Sequence, residues 1–272
     1  AGWLAARVAE AGDRTAVIGS DGAITYRALA LRVARFAAGL ATLGIGRGDV
    51  VSVQLPNVPE FVVAYLAIAR VGAVMSTAHM PYRSADLRTL LAHSRARAFI
   101  CIAATKDYAP AAAALALKPE LPALAHVIAL GEPVEGAVAY KTLAECAGVV
   151  PDDLAPMPAD PFLLLYTSGT SASPKAVPLT YQAMLGNARL SVPEHRITAT
   201  DIVLSAPPYT HLFGLYSFHL ALAAGASNLL LPVFTPPDLA KAIAQGRPTV
   251  LFTGPAHLAA LQKSGLLDTT DL

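Results

Sequence analysis

The feature that most limits what this chain can fold into is an alternation of short apolar runs with segments of helical period, sustained from Thr25 to Thr253. Leu29, Val33, Phe36, Leu40 and Leu43 recur at steps of four and three, which predicts a helix capped by Thr25 with Gly44 just past its end. A strand follows at Val50 to Leu55. Asn57 and Glu60, three apart as in a capping box, open a second helix that runs to Arg70 ahead of Gly72. Ala73 to Thr77, Ala98 to Ile102 and His126 to Leu130 read as strands, with helices from Ser84 and over Tyr108 to Leu117 between them. Gly131 to Pro161, rich in Pro, Gly and acidic residues, reads as an irregular connection. Beyond it come strands at Phe162 to Tyr166, Ile202 to Ala206, Asn228 to Leu231 and Thr249 to Thr253, and helices near His211 to Ala224 and Pro236 to Gln245.

Such alternation predicts an α/β fold of mainly parallel β-sheets with covering helices. A chain of 272 residues can bury a large core, as one α/β domain or as two packed sheets. With 54% apolar and 14% charged residues, it has the material for extensive burial. Twenty basic and 19 acidic residues are spread along the chain, net +1, so no nucleic-acid surface is expected. Arg70, Ser227 and Asn228 interrupt the apolar runs before the roughly 18 residues that a membrane span needs. Cys101 and Cys146 lack metal-ligand spacing and read as buried thiols in a reducing compartment. Without a charged leader and cleavage site, a cytoplasmic setting is expected.

Chemistry concentrates in two places. Tyr166 to Val177, Y T S G T S A S P K A V, leaves a strand as a hydroxyl-rich loop with hydroxyls at Thr167, Ser168, Thr170, Ser171 and Ser173. Gly169 lets backbone N–H groups turn inward, Pro174 fixes the backbone, and Lys175 adds a positive charge, so the segment suits an anionic phosphate. A generic Ser/Thr/Gly cluster after a strand is also an ordinary solvated turn. A Walker loop requires glycine directly before the lysine and Ser or Thr after it, where this chain has Pro174 and Ala176. Val177 to Leu179 also look extended, with Thr180 capping the next helix. The second place is Pro207 to Gly214, P P Y T H L F G, again directly after a strand, where ligands of parallel sheets bind. From the residues alone His211 reads as an ordinary histidine satisfied at a helix start. His79, His93, His126, His195, His219 and His257 show no zinc spacing, and no GxSxG elbow is present.

These blocks resemble the AMP-forming acyl-activating enzymes, a family that includes acyl-CoA synthetases, firefly luciferase and peptide-synthetase adenylation domains. The likeness spans nearly the whole chain. Besides the two loops it is carried by I T Y R A L and G R G D V V S V Q L within Ile24 to Leu55, and by the block that begins P N V P E F V V A Y L. The family usually has glycine at the positions of Ala172 and Ala176, so this loop is slightly stiffer. The resemblance implies ATP-dependent activation of a carboxylic acid to an acyl-adenylate with release of pyrophosphate, then transfer to CoA. It implies Thr167, Ser168, Gly169, Thr170, Ser171 and Lys175 as the triphosphate loop, with Thr170 nearest Mg²⁺. His211 then lies beside the acyl group, with Tyr209 and Phe213 as pocket walls. Lys175 and His211 are the expected catalytic residues, and ATP, Mg²⁺ and coenzyme A the expected cofactors.

The fold so implied is the N-terminal domain of the adenylate-forming fold, truncated, with two packed, mainly parallel sheets. Residues 1–46 plus about 195–272 form one subdomain and about 47–194 a second, which carries the phosphate loop. The family's C-terminal domain is expected to be absent, leaving a largely inactive chain. An adenylation module loading a carrier protein, and a non-catalytic nucleotide- or acyl-binding fragment, are the alternative functions. Homo-oligomerisation stays open, and the acid is unspecified among fatty, aromatic and alicyclic classes.

Overall fold

The computed structural model describes residues 2–151, 154–167, 175–266 and 270. The chain opens with helix α1 (Gly2–Ala11), the antiparallel pair β1 (Thr15–Gly19) and β2 (Gly22–Thr25), and helix α2 (Tyr26–Thr42). Thr25 Oγ1 accepts the Ala28 N–H at 3.2 Å, so the expected cap of α2 is present. Next come β3 (Val50–Gln54), α3 (Pro59–Arg70), β4 (Val74–Thr77), α4 (Ser84–Ser94), β5 (Ala98–Ile102), α5 (Pro110–Leu117) and β6 (His126–Leu130). The expected irregular connection after β6 instead contains a two-residue strand β7 (Val138–Ala139) and a short helix α6 (Tyr140–Ala144). They form because Tyr140 and Leu143 find burial: the Tyr140 ring stacks on Phe36 at 4.3 Å between centroids and its hydroxyl donates to the Glu60 carbonyl at 2.9 Å. The remaining elements are β8 (Pro161–Thr167), β9 (Lys175–Thr180), α7 (Tyr181–Glu194), β10 (Ile202–Ser205), α8 (Leu212–Ala224), β11 (Ser227–Leu229), α9 (Pro236–Gly246), β12 (Val250–Phe252) and α10 (Pro255–Lys263).

The chain divides into two compact units. One, Leu31–Leu55 with Glu60–Ala183, holds a seven-stranded sheet in the order β7-β6-β5-β3-β4-β8-β9. All its pairs are parallel except β8 with β9. Phe99 and Cys101 of β5 and Val127 of β6 pack with Leu87, Leu90 and Leu91 of α4 and Ala111, Ala114 and Leu117 of α5. Cys101 is fully buried, which pushes its thiol pKa well up, and Cys146 is half-buried; both are free thiols. Elsewhere in this unit Phe162 stacks on Tyr181 at 4.4 Å, and the Tyr181 hydroxyl donates to the Ala69 carbonyl at the end of α3 at 3.0 Å. At the margin of the sheet, β9 pairs with β8 and carries Pro178 opposite Leu164.

The other unit, Gly2–Ala30, Pro56–Pro59 and Met184–Leu272, holds a five-stranded sheet in the order β12-β10-β11-β1-β2, parallel except for the β1–β2 pair. Alternation along β10 sends Val203 into a cluster with Ala188, Leu220, Ala221 and Phe252, and Leu204 into one with Leu229, Leu239, Ile243 and Leu261. Helices thus cover both faces, as parallel pairing demands. Tyr26 donates to the Ala226 carbonyl at 2.7 Å, and its burial raises its pKa to about 12. Helix α8 ends at Gly225 in the left-handed conformation, whereas α4 and α9 end on left-handed Arg95 and Arg247, with φ of 50° and 45°. A side chain at such a cap carries a cost that glycine avoids.

Two stability measurements test this account. Burial lowers the pKa of His219, 1% exposed, from 6.5 to about 4, so the native state stays neutral while the unfolded chain takes up a proton. Stability is full above pH 6.5 and is lost progressively as the pH falls towards 4, by roughly 3 kcal/mol from this group. Urea denaturation across that window should show the loss, and His219→Gln should flatten it. Arg247→Gly should raise the denaturation midpoint by an equivalent of about 1 kcal/mol.

Candidate active site

In the first unit, β8 and β9 bring Thr167 and Lys175 opposite one another in antiparallel register. The chain between them leaves the carboxyl end of β8, a strand that lies parallel to β4, the position from which ligand loops of such sheets depart. Ser168, Gly169, Thr170 and Ser171, expected in the triphosphate loop, lie outside the described residues. Lys175 opens a strand rather than a helix, which separates the segment from a Walker loop. Its residue is exposed. Just before the loop, Tyr166 Oη lies 3.0 Å from His93 Nδ1, with the two rings edge to face. Thr180 Oγ1 accepts the Ala183 N–H at 3.2 Å, the cap expected for the helix beyond.

In the second unit, the segment between β10 and α8 is pinned by its backbone. Ser205 Oγ donates to the Pro207 carbonyl at 3.1 Å, and the His211 N–H donates to the Pro208 carbonyl at 3.0 Å. The buried Asn57 side chain completes the arrangement: Nδ2 donates to the Pro207 carbonyl at 3.3 Å and Oδ1 accepts the Tyr209 N–H at 2.7 Å. Sequence reasoning read Asn57 as part of a capping box and missed this contact, because its partners lie 150 and 152 residues away. Gly214 permits the close approach of α8, since a Cβ there would lie 2.2 Å from the Pro208 carbonyl oxygen.

This pinned backbone sorts the three expected side chains into different environments. Tyr209 is 1% exposed, its ring 5.6 Å from that of Phe218, and burial raises its phenol pKa. Phe213 is 38% exposed, with its ring edge to face with Phe252 at 5.8 Å. His211 is exposed and forms the N-cap of α8, its Nδ1 accepting the Phe213 N–H at 3.2 Å. Among the described residues, no three His, Cys, Asp or Glu side chains form a group that could hold a metal ion. Thr170, the hydroxyl expected beside Mg²⁺, lies outside them. No helix among the described residues is long and apolar enough to cross a membrane.

Two mainly parallel sheets, each with a loop of distinctive chemistry following a strand, define an α/β protein of the adenylate-forming fold. The chain belongs to the AMP-binding enzyme family, whose model matches residues 4–272. It is 34% identical over 253 residues to the salicyl-AMP ligase / salicyl-S-ArCP synthetase of Mycobacterium tuberculosis, covering 92% of this chain and 44% of that protein. It is 32% identical to Protein Y of Streptomyces griseus, covering 90% of this chain and 81% of that protein. Among solved structures, apo MbtA of Mycobacterium smegmatis superposes with a TM-score of 0.88 at 33% identity, over 97% of this chain and 49% of that one. Protein Y aside, the chain spans about half the length of the curated relatives it matches.

Asn57→Ala removes both side-chain bonds to the loop and should cost about 1–3 kcal/mol in urea denaturation. Gly214→Ala presses on the same backbone, at the Pro208 and Pro207 carbonyl oxygens. The two losses should therefore combine non-additively, by at least about 0.5 kcal/mol in a double-mutant cycle.

Proposed function

We propose that this chain supplies the triphosphate- and acid-binding parts of a ligase that activates a carboxylic acid as its acyl-adenylate and passes the acyl group to a thiol. The observation that carries the reading is the pinned 207–211 segment with exposed His211 at its end, in a chain of the AMP-binding enzyme family. Lys175, with Thr167, Ser168, Gly169, Thr170 and Ser171, receives the triphosphate. Fixed donors of this kind offset the charge that builds up as pyrophosphate leaves. Mg²⁺, when bound near Thr170, would supply further neutralisation of the phosphates. His211 meets the acid, with Phe213 walling its pocket and Tyr209, expected as a second wall, packed out of reach against Phe218.

Coenzyme A is the first choice of acceptor, in keeping with the 4-coumarate and indoleacetate CoA ligases among the relatives. Transfer to a carrier protein is the second reading, favoured by the 34% identity to the salicyl-S-ArCP synthetase. Salicylate, 4-coumarate and indoleacetate all contain an aromatic ring, and half-exposed Phe213 offers a ring of its own to such an acid. A reducing, cytoplasmic setting accords with the free thiols of Cys101 and Cys146.

The test is acid-dependent pyrophosphate release by the full-length gene product over a panel of carboxylates, with CoA or a carrier protein as acceptor. Lys175→Ala should lose roughly 1.5–3 kcal/mol of charge-assisted contact, a ten- to hundredfold fall in rate. An unchanged rate would remove Lys175 from the site.

A further inference from the structure

We propose that the seven-stranded sheet carries a second ligand site, at the edge opposite the triphosphate loop, and that this site takes the phosphate group of a small phosphomonoester. The neighbouring strands β6, β5 and β3 run parallel, so His126, Ala98 and Val50 start them at one edge. Strand β8 joins the same parallel set through β4, and its loop leaves from the other edge. At the amino edge a cavity of about 630 Å³, the size of a small-molecule site, opens among the segments that lead into the three strands. Gly48, Ala123 and Ala125 leave it room, and Arg95 and Arg97 line it together with Asp49.

Backbone contacts hold the two arginines in place. Ala96 between them is 1% exposed and its N–H donates to the Leu91 carbonyl at 3.2 Å, while residues 95 and 97 are exposed. The Arg97 N–H donates to the Val50 carbonyl at 2.8 Å and the Arg97 carbonyl accepts the Ala125 N–H at 2.9 Å, which fastens it to the starts of both neighbouring strands. Arg95 is the left-handed residue that closes α4, its N–H donating to the Ala92 carbonyl at 3.2 Å. These bonds also occupy carbonyls in the last turn of α4, whose partial negative charge opposes an anion.

Charge then selects the ligand. Asp49 is the only acid among the described residues that line the cavity, and its Oδ2 accepts the Gly46 N–H at 2.9 Å. Its Oδ1 lies 3.5 Å from Arg97 Nη1, a long contact that leaves donors of the Arg97 fork available. Among the described residues no hydrogen bond or ion pair engages the Arg95 guanidinium. Two guanidiniums against one carboxylate leave a surplus positive charge. A carboxylate ligand would fill a single fork, whereas a phosphate monoester brings three terminal oxygens and a charge of about −1.5 to −2, enough to engage both arginines. The rest of the ester would lie against Val50, Ala123 and Ala125.

The test is a titration of the chain carrying Lys175→Ala, which weakens the triphosphate loop, with inorganic phosphate and with glycerol 3-phosphate, followed through the backbone amide shifts of Gly48, Arg97 and Ala125. The shifts should saturate, and at lower concentration for the ester than for the free ion. Arg95→Gln and Arg97→Gln should each weaken binding about ten- to hundredfold. Asp49→Asn keeps an acceptor for the Gly46 N–H but removes the competing charge, and should tighten binding several-fold. Shifts that rise without saturating overturn the site, as does saturation indifferent to both arginine variants while thermal unfolding shows them folded, or an Asp49→Asn chain that binds more weakly. An ester that binds no better than the free ion overturns its place as the ligand. None of these readouts needs turnover, so the site stands or falls whether or not the chain adenylates an acid.

Discussion

A parallel strand cannot turn straight back onto its neighbour; the chain must cross over outside the sheet before it pairs again. Much of this molecule follows from that constraint. The crossovers lay helices on the sheet faces, so strands such as β5 are buried on both sides and read as continuous apolar runs. Polar chemistry is displaced to the ends of the strands and the loops beyond them: Asn57 follows β3, His211 caps α8 and Lys175 is the first residue of β9. The two antiparallel pairs, β1 with β2 and β8 with β9, lie at sheet margins, the only places where a hairpin does not interrupt the crossover pattern.

Buried tyrosine hydroxyls fasten this framework across long stretches of sequence. Tyr26 reaches the Ala226 carbonyl, Tyr140 that of Glu60 and Tyr181 that of Ala69. Each closes on a backbone acceptor, two of them in α3. Burial raises all three phenol pKa values, so they remain protonated donors throughout the neutral range.

The sequence was most legible where burial is continuous. Ala98 to Ile102 and His126 to Leu130 match their strands residue for residue, because a short apolar run buried on both faces of a parallel sheet has few other uses. The stretch between Gly131 and Pro161 was misread because α6 depends on Tyr140 meeting Phe36, about a hundred residues earlier, and five residues are too few to show a period. Asn57 was read through its local neighbour Glu60, whereas its side chain serves a loop far along the chain. His211 presented two readings, helix cap or substrate-side residue. The structure shows the first, His211 Nδ1 accepting the Phe213 N–H at the start of α8. The composition of the loop after Tyr166 was plain, but its role came from family resemblance, since hydroxyls and glycine alone also make a solvated turn.

Pro178 in β9 has a consequence for how the protein behaves at high concentration. A marginal strand with a full set of outward N–H groups is a template on which another chain can crystallise into register. Proline breaks that set in the middle of a six-residue strand, so the sheet is terminated by its own covalent chemistry. Crowded copies are thereby denied a continuous ladder at the strand that carries Lys175, and this margin is guarded against becoming a seed for aggregation.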